Sequence, residues 1–242
     1  MKKSCIVIPC FNEANRFKAD EFLEFIHSVE DVDLCFVNDG SKDQTLEKLR
    51  EIKGRSSERI EVVSYPDNRG KAEAVREGFL KLVALKKYDW IAFADADLAT
   101  PLSEMLRLIR MAQQKQELLM VMGSRLERVG GTIQRKFHRH ITGRIFAFAV
   151  SVLFSLNAHD TQCGAKVFQA SVVEEVFGES FISRWLFDVE MLLRIKKKYP
   201  NYNQVVVEEP LNVWIEQGES KIRFTHLLKM PFQLCKIYFR YH

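Results

Sequence analysis

Residues 90–101 read WIAFADADLATP, and the two carboxylates in this stretch, Asp95 and Asp97, stand one residue apart. The apolar run 90–93 predicts a strand, so both aspartates fall where it emerges from a sheet. Hard divalent cations such as Mg2+ and Mn2+ take oxygen ligands and are commonly held by one or two carboxylates together with substrate phosphates. The placement suggests a metal-assisted site for a nucleotide diphosphate. A lone Asp-Xaa-Asp reads more readily as a surface turn, so the other strand ends must decide.

Three further polar clusters close apolar runs. Pro9, Asn12 and Glu13 follow residues 4–8; Asn38, Asp39, Gly40 and Ser41 follow 32–37; Asn68, Arg69, Gly70 and Lys71 follow 60–64. Asp39 can accept hydrogen bonds from the N–H or hydroxyl groups of a nucleoside. Gly70 and Lys71 open a predicted helix whose N-terminal amides and ammonium favour phosphate. Singly each cluster reads as a cap or turn, as Asp39-Gly40 does. Their recurrence at four equivalent strand ends favours a ligand site.

The elements that position these clusters follow from hydrophobic spacing. Phe22, Phe25, Ile26 and Val29 fall at i, i+3, i+4 and i+7; Leu46, Leu49 and Ile52, then Ala72, Val75, Phe79 and Leu82, repeat the helical pattern, and residues 102–114 supply a fourth. Apolar strands alternating with helices predict an α/β fold, a mostly parallel sheet covered on both faces. In such sheets ligands bind beyond the carboxyl ends of the strands.

The strings IPCFNEA, VNDGSKD, DNRGKAEAV and FADADLAT, in this order, resemble the family 2 glycosyltransferases with the GT-A fold. The later DTQCGAK at 160–166 and WLFDVE at 185–190 are similar to the dolichyl-phosphate β-glucosyltransferases and other polyprenyl-phosphate glycosyltransferases. The resemblance runs on through VWIEQGESK at 213–221 and so covers almost the whole chain. It implies an inverting transfer of a hexose, glucose above all, from a UDP-sugar to a dolichyl or undecaprenyl phosphate. It also implies that Pro9, Glu13 and Asp39 line the uridine pocket with Asn12, Asn68 and Lys71 near it, and that Asp95 and Asp97 serve sugar nucleotide and metal. The related mannosyl-phosphate synthases often carry Gln two residues beyond the second Asp; this chain has Ala99. Asp160 stands as a further candidate metal ligand.

After residue 124 the texture becomes basic: Arg125, Arg128, Arg135, Lys136, His138, Arg139, His140 and Arg144 lead into a helical apolar pattern at Phe137, Ile141, Ile145, Phe148 and Val152. Arg125, Arg135 and Arg139 are the expected cations for an acceptor phosphate, because guanidinium groups bind phosphate in a bidentate way. Asp188 and Glu190 are where a glycan or lipid hydroxyl acceptor, the alternative substrate, would find its base. Residues 186–195 read as a helix, so only one of the two is expected to face the site. The last stretch, 222–242, interleaves Arg223, His226, Lys229, Lys236 and Arg240 with Phe224, Leu228, Phe232 and Phe239, an amphipathic tail suited to the membrane interface, expected to break into two helices at Pro231.

Length and composition fit this reading. The 242 residues, 47% hydrophobic and 28% charged, predict one domain: a nucleotide-sugar half (1–124), an acceptor half (125–221) and the tail. Five cysteines without paired metal spacing suit a reduced, cytosolic chain. The apolar run 145–156 is shorter than the roughly twenty residues that span a bilayer, so a peripheral protein on the inner, cytoplasmic face is expected. The dolichyl enzymes commonly begin with a spanning segment, and this sequence opens on its first strand, which leaves a bacterial-type polyprenyl phosphate as a further candidate. Net charge is only +4 and no nucleic-acid motif accompanies the basic residues.

Overall fold

The computed structural model describes residues 3–134, 137–217 and 224–241, with backbone alone for 137–142 and 224–229. Four strand and helix pairs build its first half: β1 (Ser4–Cys10) and α1 (Ala19–Ser28), β2 (Val32–Asp39) and α2 (Thr45–Arg55), β3 (Ile60–Tyr65) and α3 (Lys71–Ala84), β4 (Trp90–Ala94) and α4 (Leu102–Gln114). The strands pair in parallel in the order β3-β2-β1-β4. β1 to β3 run one or two residues past their apolar runs, because polar residues continue the ladder: Cys10 pairs with Asn38 and Asp39 with Tyr65. Asp39 is thereby fixed by the sheet itself.

The second half completes the sheet. β5 (Met120–Ser124), β7 (Ala165–Gln169) and β8 (Val206–Pro210) extend it to seven strands in the order β3-β2-β1-β4-β7-β5-β8. β7 runs antiparallel to both β4 and β5. A small second sheet joins β6 (Thr132–Gln134) to β9 (Val213–Ile215). The remaining helices are α5 (Phe137–Phe154), α6 (Val173–Phe177), α7 (Phe187–Lys198), α8 (Tyr202–Val205) and α9 (Phe224–Tyr241).

Each face of the sheet carries a core. On one, Phe79 stacks on Phe177 at 4.2 Å and meets Phe168 edge-on at 5.5 Å, while Phe93 lies 6.0 Å from Phe187. On the other, Phe22, Phe36, Trp90, Leu102 and Met105 pack under α1 and α4. α3 approaches the sheet closely because Gly78 has no side chain: a Cβ there would stand 2.6 Å from a methyl of Val7.

The tail differs from the sequence expectation. Residues 224–241 form one helix with Pro231 inside it, not two. A proline in a helix interior costs about 3 kcal/mol through a lost hydrogen bond and a clash with the carbonyl one turn earlier. Burial of Leu234 and Ile237 in the core outweighs that, each full burial of a large aliphatic being worth about 1.5–3 kcal/mol. Among the described residues, no helix is long and apolar enough to cross a membrane.

Candidate functional site

The carboxyl end of β4 delivers Asp95 and Asp97 into a tight turn in which Leu98 has a φ of 56°. Asp97 Oδ1 accepts the Ala99 N–H at 3.0 Å, and Oδ2 lies 4.0 Å from an Nη of Arg16. Burial, and then the charge of Asp95, raise the Asp97 carboxyl above its ordinary value. Asp95 Oδ1 is 2.5 Å from the ammonium of Lys71, the first residue of α3. Burial disfavours that ammonium, but Asp95 and Asp188 outweigh it and the Lys71 pKa rises.

Asp39 organises the corner that leads into Lys71. Its carboxylate accepts hydrogen bonds from the Asn68 amide (2.8 Å) and from the backbone N–H groups of Arg69 (2.7 Å) and Gly70 (2.8 Å). The two loops press together at Gly40, where a Cβ would stand 2.3 Å from the backbone of Asp67. The loop after β1 docks on the same corner: the Asn12 N–H donates to Ser41 Oγ (3.1 Å), Asn12 Oδ1 accepts from the Lys42 N–H (2.8 Å), and the Glu13 N–H donates to Thr45 Oγ1 (2.8 Å). Glu13 carries Arg16 on its carboxylate, and Pro9 lies in β1 opposite Val37. Pro9, Asn12, Glu13, Asp39, Asn68, Lys71, Asp95 and Asp97 thus sit along one edge, as their strand ends predict.

The second half of the chain underpins this edge. Gly164, in the DTQCGAK string, lies directly against Asp95: a Cβ there would be 2.0 Å from Oδ2. Two residues on, Lys166 is fully buried and donates to the Cys163 carbonyl and to Asp188 Oδ1, both at 2.6 Å. Glu190, one residue beyond Asp188's neighbour on α7, is turned elsewhere. It is fully buried, and its two oxygens accept the N–H groups of Ile182 and Ser183 at 3.0 Å each. Burial raises the Glu190 carboxyl despite those two bonds.

Asp160, expected beside the other two aspartates, is instead placed on Arg125. The pair is bidentate, Nε to Oδ2 at 2.7 Å and Nη2 to Oδ1 at 2.6 Å, and the Arg125 N–H adds a third bond at 2.9 Å. Burial opposes the Arg125 charge, Asp160 overrides it, and the guanidinium lies 5.3 Å over the Trp214 ring. Glu208 in turn holds the Asp160 N–H at 2.8 Å. Arg135 lies outside the described residues, and so does the side chain of Arg139.

Among the described residues no three His, Cys, Asp or Glu side chains gather around one point. Asp95 and Asp97 nevertheless fit a hard divalent cation. Two like charges are held at one strand end, one of them disfavoured by burial, which suits an ion completed by substrate oxygens. Sequence reasoning missed Arg16, Gly164 and Lys166. The signal for the last two was present in DTQCGAK, whose closing residues also begin β7.

Residues 5–177 match the family profile described as glycosyl transferase family 2. The dolichyl-phosphate β-glucosyltransferase of Dictyostelium discoideum is 31% identical over 98% of this chain and 74% of its own length. The human protein of that name is 29% identical over 99% and 76%. The glucosyl-3-phosphoglycerate synthase of Mycobacterium tuberculosis, solved with Mn2+, UDP and phosphoglyceric acid, superposes with a TM-score of 0.70 at 14% identity, covering 98% of this chain and 78% of that one. This last likeness is one of fold, the GT-A arrangement. By its strand-end carboxylates, its sheet and these matches, the chain belongs to glycosyl transferase family 2.

Proposed function

We propose that this glycosyltransferase moves glucose, or a similar hexose, from a UDP-sugar to a polyprenyl phosphate, dolichyl or undecaprenyl, with inversion at the anomeric carbon. One observation carries the reading: the turn held by Asp39 runs straight into Lys71, whose ammonium rests on Asp95. The Asp39 turn, the Lys71 ammonium and the carboxylate pair are therefore directly connected, which supports binding of nucleoside, phosphate and metal side by side. The curated relatives act in their names on dolichyl phosphate, which supplies the acceptor class.

The chemistry follows from the charges. An acceptor phosphate monoester is already ionised near neutral pH. One of its oxygens bonds to the anomeric carbon as the bond from that carbon to the diphosphate breaks, the electron pair leaving on UDP. No proton has to be removed, so Asp188 and Glu190 need not act as bases. Asp188 balances Lys166 and Glu190 holds a loop. Asp95 and Asp97 would hold Mg2+ or Mn2+, which would supply Lewis-acid stabilisation of the leaving group. Lys71 adds a fixed cation on the same side. We assign Arg125, preset by Asp160, to the acceptor phosphate, and Arg135 and Arg139 with it by the sequence argument.

The lipid must come from a membrane surface, and α5 with α9 offers a match. Ile145, Phe148 and Val152 form an exposed stripe on α5, and Phe232 and Phe239 one on α9, with Phe148 73% and Phe239 82% exposed. The helices touch where Phe154 meets Tyr238 at 6.1 Å. Arg144, Lys236 and Arg240 flank these apolar side chains, the composition of an interfacial helix pair. We assign this face to the cytoplasmic leaflet. Incubation with labelled UDP-glucose, Mg2+ or Mn2+ and polyprenyl phosphate should yield a labelled, acid-labile lipid. Absence of any lipid product across a panel of UDP- and GDP-hexoses would refute the assignment.

A further inference from the structure

We propose that Arg184, which neither motif nor family role singles out, is a phosphate-binding residue of this site, held in position by Glu190 and by helix α9. The inference rests on the donor site proposed above. The aliphatic stem of Arg184 lies on Gly70: a Cβ at that glycine would stand 3.1 Å from Arg184 Cδ and 3.4 Å from Cγ. Gly70 has a φ of 96° and immediately precedes Lys71. The side chain of Arg184 therefore runs along the residue that opens α3, one position before Lys71.

The charge balance of the site makes this position informative. Lys71, Arg16, Arg125 and Lys166 each already rest on a carboxylate, of Asp95, Glu13, Asp160 and Asp188 respectively. A polyanionic substrate brings more negative charge than these paired cations offset, so a further cation without a carboxylate partner would be drawn on as well. Arg184 is exposed and makes no hydrogen bond or ion pair among the described residues. A planar guanidinium offers phosphate oxygens two parallel N–H donors.

The loop that carries Arg184 is rigidly held. Glu190 accepts the N–H groups of the two residues before it. Ser183 Oγ accepts the N–H of Trp185 at 3.2 Å and of Leu186 at 2.9 Å, closing the turn that leads into α7, and donates to Gln233 Oε1 at 2.7 Å. Gln233 belongs to α9, so the helix with the exposed apolar stripe is bonded directly to the loop that presents Arg184. Glu190 and Gln233 are positioning residues: they act through this loop.

The ligand group is a phosphate oxygen, from the donor diphosphate or from the acceptor monoester, and titration calorimetry with uridine and UDP at constant Mn2+ separates these from a base contact. Arg184→Met is expected to weaken UDP about 10- to 100-fold, the range for a hydrogen bond to a charged group, while uridine affinity and the melting temperature hold. Arg184→Lys recovers part of the loss, and Glu190→Gln shows a smaller loss of the same UDP-selective kind. Unchanged UDP affinity with a raised KM for polyprenyl phosphate assigns the residue to the acceptor phosphate instead. Equal weakening of uridine and UDP, or UDP affinity and both KM values within twofold of wild type, overturns the proposal. Wild-type protein that binds UDP no better than uridine would sink the donor reading itself, an outcome distinct from an unaffected Arg184 variant.

Discussion

Gly164→Ala adds one methyl group to a residue that no reaction scheme requires, yet the geometry predicts a large kinetic effect. Its Cβ would lie 2.0 Å from Asp95 Oδ2 and 2.6 Å from Cγ, where real Cβ atoms essentially never come within 3.0 Å. The carboxylate must retreat by about 1 Å, and misplacement of that size costs on the order of 10²-fold in rate. It cannot retreat alone, because its other oxygen is 2.5 Å from Lys71 Nζ. The backbone does not obstruct alanine, since Gly164 is outside the left-handed region. Removing a glycine stabilises through the unfolded chain by about 0.4–1 kcal/mol, while overpacking costs about 1–3 kcal/mol. The net loss, about 1–2 kcal/mol, should lower Tm by about 2–8 °C for a chain of this size. Initial rates with labelled UDP-glucose and polyprenyl phosphate, on protein shown folded by its melting curve, should give kcat down about 100-fold. A folded variant with kcat within threefold of wild type would refute the claim that Gly164 sets the position of Asp95.

Three further substitutions test other parts of the arrangement. Asp97→Asn should abolish transfer and alter the pH dependence of metal-free stability. The raised carboxyl means the folded state holds its proton more tightly than the unfolded state, so wild-type stability falls as pH rises from the ordinary value of 3.8 through the raised one. The variant should lack that fall in urea titrations from pH 3 to 7, and a parallel fall would refute the coupling. Lys166→Met strands Asp188 in the interior, a loss of about 3–5 kcal/mol by urea unfolding, and Lys166→Met with Asp188→Leu should recover part of it; no recovery would deny the pair. Phe148→Glu with Phe239→Glu should reduce cosedimentation with anionic vesicles severalfold while UDP affinity stays constant, and unchanged sedimentation would remove α5 and α9 from the membrane face.

The first half of the fold is legible because each strand there is a short apolar run followed by a clean helical period. The helix at 102–114 is found at its predicted bounds, and the four polar clusters meet at one edge as expected. β7 escaped notice for a physical reason. AKVFQ carries a lysine where a buried strand should be apolar, and only the tertiary pairing with Asp188, supplied by a helix 22 residues later, makes a buried ammonium tolerable. The break expected at Pro231 failed similarly: local propensity favours two helices, and burial of Leu234 and Ile237 overrides it. Such long-range compensation leaves no trace in the spacing of neighbours.

The same distinction governs Asp188 and Glu190. Two residues apart on a helix, their side chains diverge by about 200°, and the structure uses both directions: Asp188 toward Lys166 and the Lys71 corner, Glu190 into the backbone of the loop at 182–183. A base for a hydroxyl acceptor needs a free oxygen and access to substrate. Glu190 has neither, being fully buried with both oxygens engaged. Asp188 is buried, and its Oδ1 is held at 2.6 Å by an ammonium that is itself wholly inside the protein. Taking up a proton from an acceptor would leave that buried ammonium without its counter-charge, at a cost of several kcal/mol. An acceptor that arrives already ionised removes the need, and so the arrangement at the start of α7 favours a phosphate over a hydroxyl.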